Sequence, residues 1–290
     1  MSELAQSSTR NGAWSSGLST NDFAACVESG LQPLGFVQGC SVVSWSFYGA
    51  GAMTGNALFS SYRQPSGYFE QFNCPHGFVS NEHRQYGMNY EKTWIEGAWT
   101  TAFAGAFTRL VDEAKGLGAH GVIGIVERTE HHSESSAYEF SLSGTAVGVE
   151  GIAPPSTPFT TFLAGQKLNK LVEAGFAPVS IALSLVSIGV YASCITEYQL
   201  RGGAWGWGGV PTGEIDQLAR AHGAARSMAR ENVRHQLAGD ALHAAQLVVA
   251  NQEAGDGPQI EVTLRGNRVR RFKDFEPIPP PRPVLRLVDL

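Results

Sequence analysis

Charge is scarce in this sequence. Of 290 residues only 16% are charged, against 43% hydrophobic, and 21 Lys and Arg set against 26 Asp and Glu leave a formal net charge of −5. No run of five or more basic residues occurs, so the phosphate neutralisation on which nucleic-acid binding rests has little source and nucleic acid is not expected as a partner. Cysteine is scarce too. Cys26, Cys40, Cys74 and Cys194 form no CxxC pair and no repeated spacing, which argues against a disulfide framework and for reduced thiols in a cytoplasm. The opening MSELAQSSTRNGAWSSG has no apolar stretch of the secretory kind. One long uncharged run exists, FAPVSIALSLVSIGVYASCI at 176–195, the length of a membrane span. Within it Val179, Ile181, Leu183 and Leu185 alternate with Ser180, Ala182 and Ser184, which is the period of a strand. After Leu185 the apolar set passes to Val186, Ile188 and Val190, and this change of phase predicts a β-bulge there. A membrane is accordingly not expected as a partner.

What the chain does contain is a repeat. LSTNDFAACVESGLQPLGFV, 18–37, aligns without a gap onto LAGQKLNKLVEAGFAPVSIA, 163–182, at an offset of 145. AYEFSLSGTAV, 137–147, parallels QIEVTLRGNRV, 259–269, at an offset of 122, so the first half carries extra residues in its middle. Each half reads alike. A short helix (19–29 and 165–174) is closed by Gly30 or Gly175 at a position that wants positive φ. A strand follows (34–47 and 179–191), then a variable loop, then a long helix (93–116 and 213–237). One apolar stripe of the first long helix runs through Trp99, Phe103, Ala106, Phe107, Leu110, Ala114 and Leu117; the second runs through Ile215, Leu218, Ala219, Ala225, Met228, Ala229 and Val233. Two strands end the unit. GVIGIVE reads as buried because nearly every residue is apolar, and YEFSLSG alternates as a half-exposed strand does. The expected fold is α+β: two tandem β-α-β-β units, each preceded by a short helix. The expected segments are a polar 1–17, a first domain at 18–152, a divergent second domain at 158–273 and a Pro-rich arm at 274–290. A three-stranded sheet with one helix leaves a face uncovered, which a tandem copy or a symmetric ring would cover.

EAKGLGAHGVIGI followed by YEFSLSGTAV resembles the YbjQ family, whose members carry a heavy-metal-binding-domain label. The resemblance takes in most of 18–150 and, more weakly, 163–272. It implies dodecin-like β-α-β-β units and a five-fold ring of them, and it implies no enzyme. It supplies no ligand set that transfers residue by residue.

Several clusters hold chemistry-bearing side chains. His131 and His132, with Glu130 and Glu134, suit a divalent transition metal such as zinc or copper. Adjacent strand residues point to opposite faces, however, and the second half reads NQEAGDGPQ there, so a polar hairpin tip is the competing reading. Cys74, His76 and His83 offer metal donors without a signalled fourth ligand. His222 reads as a satisfied core or interface histidine. YGAGAMTG, 48–55, lacks the Lys-Ser/Thr of a phosphate loop. No Ser-His-Asp or Cys-His set assembles from spacing, so no catalytic residue is assigned.

The aromatic segments point to contacts instead. The loop 49–92 carries Tyr68, Phe69 and Phe72 among eight aromatics, too many for a disordered segment, and is expected to pack on a neighbouring subunit or another protein. RGGAWGWGGVPTG, 201–213, presents Trp205 and Trp207 in the same way. The arm FEPIPPPRPVLRLVDL ends in Val284, Leu285 and Leu287, the form of a stiff spacer carrying an apolar plug for a neighbouring subunit. The expected function is a non-enzymatic, cytoplasmic, homo-oligomeric ring or assembly protein. The alternative is a module binding a metal or small ligand at loops or subunit junctions.

Overall fold

The computed structural model describes residues 15–44, 88–132, 137–200, 213–254 and 257–273. The first half opens with α1 (Thr20–Glu28). Ser19 caps it, its hydroxyl accepting from the Asp22 N–H at 3.2 Å, and Gly30 closes it at φ 78°. Then come β1 (Leu31–Ser44), β2 (Asn89–Glu91), α2 (Thr93–Gly116), β3 (Gly121–His132), β4 (Ala137–Val149) and a short β5 (Phe159–Thr160). The second half repeats the plan with α3 (Gly165–Glu173), closed by Gly175 at φ 81°, then β6 (Phe176–Val190), α4 (Cys194–Leu200), α5 (Asp216–Leu237), β7 (Ala241–Ala254) and β8 (Gly257–Arg271).

The fold is α+β. A mixed sheet has the order β1-β4-β3-β5, its β3–β5 pair parallel, and a wholly antiparallel sheet has the order β2-β6-β8-β7. Leu31 faces Val149 in the first sheet and Phe176 faces Arg271 in the second, so the registers obey the offsets 145 and 122 read from the sequence. Pro33 and Pro178 both stand at bulges, Pro33/Gly35 and Pro178/Ser180, where a residue without an N–H breaks no ladder bond. The two strands therefore begin at Leu31 and Phe176, ahead of the prolines rather than after them. A second pair of matched bulges lies at Ile123/Val126 in β3 and His243/Gln246 in β7. The β3 bulge exposes 62% of Val126, which the apolar reading of GVIGIVE had placed inside.

The long helices bury one narrow line of residues at four-residue steps. In α2 these include Ala98, Ala102, Ala106, Leu110 and Ala114, and in α5 they are Gln217, Ala221, Ala225, Ala229 and Val233. Small residues at these positions let a sheet approach the helix backbone. Leu117 lies past the end of α2 as its cap and is 40% exposed, so it leaves the predicted stripe, and α5 begins at Asp216 rather than 213.

The layers stack as sheet, α2, sheet, α5. Ala182, Val186, Ile188 and Val190 of β6 pack on α5, while Ile181, Leu183 and Leu185 join the core that α2 builds with the first sheet. This corrects the bulge predicted after Leu185. The register of β6 runs unbroken from Ser180 to Gly189. The apolar residues change phase because the strand is buried on both faces, first more heavily toward α2 and then toward α5.

Candidate functional site

The most elaborate site among the described residues is the junction between the halves. Four contacts build it, and each uses a different surface on its two sides. The first is a helix crossing. Gly165 lies so close to α1 that a Cβ there would meet the Asp22 carbonyl oxygen at 2.1 Å. The Gln166 N–H donates to the Asp22 carboxylate at 3.3 Å, and Asn169 Nδ2 donates to the Ala25 carbonyl at 2.9 Å. The second contact is β5 and the residues after it, laid parallel along the edge of β3. The Thr161 N–H donates to the Val122 carbonyl at 3.0 Å, and the bulge aims two N–H groups back, from Gly124 to the Leu163 carbonyl at 2.9 Å and from Ile125 to the Thr161 carbonyl at 3.1 Å.

The third contact is β2, which belongs by sequence to the first half but pairs antiparallel with β6 of the second, Tyr90 opposite Gly189. The Tyr90 and Tyr191 rings stack at 4.5 Å. Behind β2, the 3%-exposed Lys92 donates from Nζ to Gln259 Oε1 at 2.7 Å. Gln217 ties the same corner together, donating to the Tyr191 carbonyl at 2.7 Å and accepting from the Ser193 N–H at 2.9 Å. The fourth contact is the face of β6 against α2, where the Ser187 N–H donates to Glu96 Oε1 at 2.8 Å. Arg265 reaches across to Glu127 at 3.5 Å. Burial pushes the Glu127 carboxyl above its ordinary value, and the Arg265 guanidinium pulls it back down.

Glu96 makes this junction sensitive to pH. Burial, with a lesser contribution from neighbouring Glu91, raises its carboxyl to about 8, while the bond from the Ser187 N–H opposes that rise. A raised carboxyl binds its proton more tightly in the folded chain than in the unfolded one. The stability is thus full below about pH 4.5 and falls as pH climbs through about 8. Denaturant midpoints measured from pH 4.5 to 8.5 should decline across that interval in the native chain, and Glu96→Gln should flatten the decline. Parallel slopes for the two proteins would remove Glu96 as its cause.

The residues singled out in the sequence are only partly brought together. His131 and His132 end β3 as consecutive strand positions opposite Tyr138 and Ala137, so the strand runs beyond the turn predicted there. Cys74, His76 and His83, with Tyr68, Phe69 and Phe72, lie outside the described residues, as do Trp205, Trp207, Val284, Leu285 and Leu287. The end of the loop 49–92 is described and is β2, docked on the other half of the same chain. The Nδ1 of His222 is buried with no hydrogen-bond partner among the described residues of the single chain, and burial together with Arg226 lowers its pKa. Among the described residues, no group of three or more His, Cys, Asp or Glu side chains is placed to hold a metal. No helix among them is long and apolar enough to cross a membrane. Sequence reasoning missed Lys92, Glu96 and Gln217. A polar residue between apolar helix positions was the available signal, but it looks the same on a solvated face.

No model of a known protein family matches the chain. The chain is similar to a Mycobacterium tuberculosis protein named as an encapsulin nanocompartment protein, with 28% identity over 177 residues. That match takes in 59% of this chain and 55% of the relative, so the chain spans about half the length of the curated relative it matches.

Proposed function

We propose that this chain is a non-enzymatic assembly protein whose copies associate into a ring or a closed shell. One observation carries the reading. Phe36, Gln38 and Val42 of β1 are exposed, whereas their counterparts at an offset of 145, Ile181, Leu183 and Ser187 of β6, are buried beneath α2. The tandem arrangement covers this sheet face in the second half and leaves it open in the first. Phe36 and Val42 are 38% and 62% exposed on it, an apolar surface of the kind that marks an interface. The half-to-half contact is also head-to-tail, and contacts of that type close into rings or run on as filaments. The name of the M. tuberculosis relative supports a compartment as the end product. The topology of each half supports the dodecin-like, YbjQ-like reading, from which the five-fold ring follows as an expectation.

Light scattering and negative-stain microscopy of the purified protein test the proposal. The expected result is a closed particle with a mass that is a multiple of 31.0 kDa, and a monomer at micromolar concentration rejects it. Val42→Asp should leave the circular dichroism and melting of the protomer unchanged while shifting the particles to smaller species, because the side chain is open to water in the single chain. The metal reading of His131, His132, Cys74, His76 and His83 is a separate proposal. Elemental analysis of protein purified without chelator or affinity tag tests it, with stoichiometric zinc or copper as the supporting result.

A further inference from the structure

We infer that the groove at the outer edge of the second half is the seat for residues 15–28 of a neighbouring copy. They would enter it as residues 160–173 enter the first half of their own chain. This rests on the assembly reading above and names the contact that would perform it.

The two entering segments are equivalent down to their hydrogen bonds. The Gly17 N–H donates to Thr145 Oγ1 at 3.1 Å and the Leu18 N–H to Ser16 Oγ at 3.1 Å. In the second half the Phe162 N–H donates to Asn267 Oδ1 at 2.8 Å and the Leu163 N–H to Thr161 Oγ1 at 3.1 Å, the same pattern at the offsets 145 and 122. Each segment is thus anchored on the central strand of its own sheet. The second segment has a further partner, the bulged edge of β3. The first has no such strand beside it among the described residues.

The missing partner exists at the other end of the chain. β7, the counterpart of β3, is the edge strand of its sheet among the described residues. Val122, Ile123 and Ile125 of β3 are at most 4% exposed, whereas of their register counterparts in β7 Leu242 is half-buried and His243 and Ala245 are exposed. The β7 bulge repeats that of β3, with Ala244 at φ 52° where β3 has Gly124 at φ 60°. In β3 this bulge turns two successive N–H groups toward the incoming segment. In β7 the equivalent N–H groups belong to Ala244 and Ala245, on an edge ready to accept a strand.

Between this bulge and α3 lies a groove of about 780 Å³, lined among others by Lys167, Lys170, Leu171, Phe176, Ala244 and Arg265. The same place in the first half is full. A Cβ on Gly124 would stand 3.4 Å from Ala164 Cβ, and Leu163 and Leu168 pack there with Cys26 and Ile123. By the offset, Ser19, Leu18 and Phe23 of an incoming copy would take those positions. Charge fits as well, since α1 carries Asp22 and Glu28 and no basic residue, while α3 turns Lys167 and Lys170 into the groove. One difference sets the strength of the contact. Thr20 stands where Gly165 makes its close crossing, so helices of two copies must cross at a wider separation than the helices within one chain.

A double variant, Ser19→Cys with Ala244→Cys, tests the seat. The counterpart Cβ separation of 3.4 Å in the first half is close to that of a disulfide. Mild oxidation should give covalent dimers and higher ladders on non-reducing gels from the double variant, and from neither single variant. Lys167→Glu with Lys170→Glu should raise the concentration at which particles dissociate by about tenfold or more, with the protomer still folded. Native-size particles that give no ladder, or a cross-link confined to the monomer, overturn the seat and leave assembly standing. A native chain that is monomeric overturns both.

Discussion

Gly39→Val is expected to cost more than about 4 kcal/mol and to unfold the first half at ordinary temperature. Gly39 lies in β1 opposite Leu142, with its α-carbon turned toward α2. A Cβ there would stand 1.9 Å from the Ala106 carbonyl oxygen and 2.6 Å from the Leu110 nitrogen. Both are helix backbone, so no rotamer change relieves the clash. The whole helix would have to move outward, away from Ala102, Ala106 and Leu110, all fully buried. Overpacking of a core by extra methylenes ordinarily costs about 1–3 kcal/mol when side chains can give way. Here they cannot, and the loss approaches the whole stability of a typical domain, about 5–15 kcal/mol. The counterpart at an offset of 145 is Ser184, a buried residue whose side chain the second half accommodates at that position. Urea denaturation followed by circular dichroism reads the result. A valine variant within about 1 kcal/mol of the native chain would show that strand and helix do not approach this closely.

Ile181→Asp should destabilise the chain by about 4–6 kcal/mol at neutral pH, while the same change at its counterpart, Phe36→Asp, should cost about 1 kcal/mol or less. Ile181 is 6% exposed and faces the core built by α2. Removing it forfeits about 2–3 kcal/mol of apolar burial. The carboxylate that replaces it loses its water, which adds a penalty of a few kcal/mol unless it takes up a proton. The damage should therefore ease toward acid pH. Phe36 occupies the same strand position on the open face at 38% exposure, where a carboxylate keeps much of its hydration. Equal losses at the two sites would mean that the face of β1 is already covered within one chain, and the assembly proposal would lose its main support.

The repeat shows which features were legible in the residues. Both short helices, both long helices and the four strands that follow them carry local periodicities, because a helix with one buried stripe or a strand with one buried face must repeat its apolar residues at its own pitch. Gly30 and Gly175 marked their helix ends because only a residue without a Cβ adopts positive φ without strain. The reading failed wherever the environment was set by a distant part of the chain. β6 looked bulged because a period argument assumes one buried face, and this strand has two. The strands β2 and β5, of three and two residues, are too short for any period and exist only because a remote edge accepts their backbone.

By itself, then, the sequence determined the α+β class, the two-fold repeat, its offsets and the order of its elements, since these follow from side-chain pattern along the chain. Only the tertiary structure decided that α2 serves two sheets, that the halves meet head-to-tail, and that one side of each surface in that contact is left open at β1 and β7. Those outcomes depend on which residues of one half exclude water from the other, and pairings across more than a hundred residues leave no mark on local sequence.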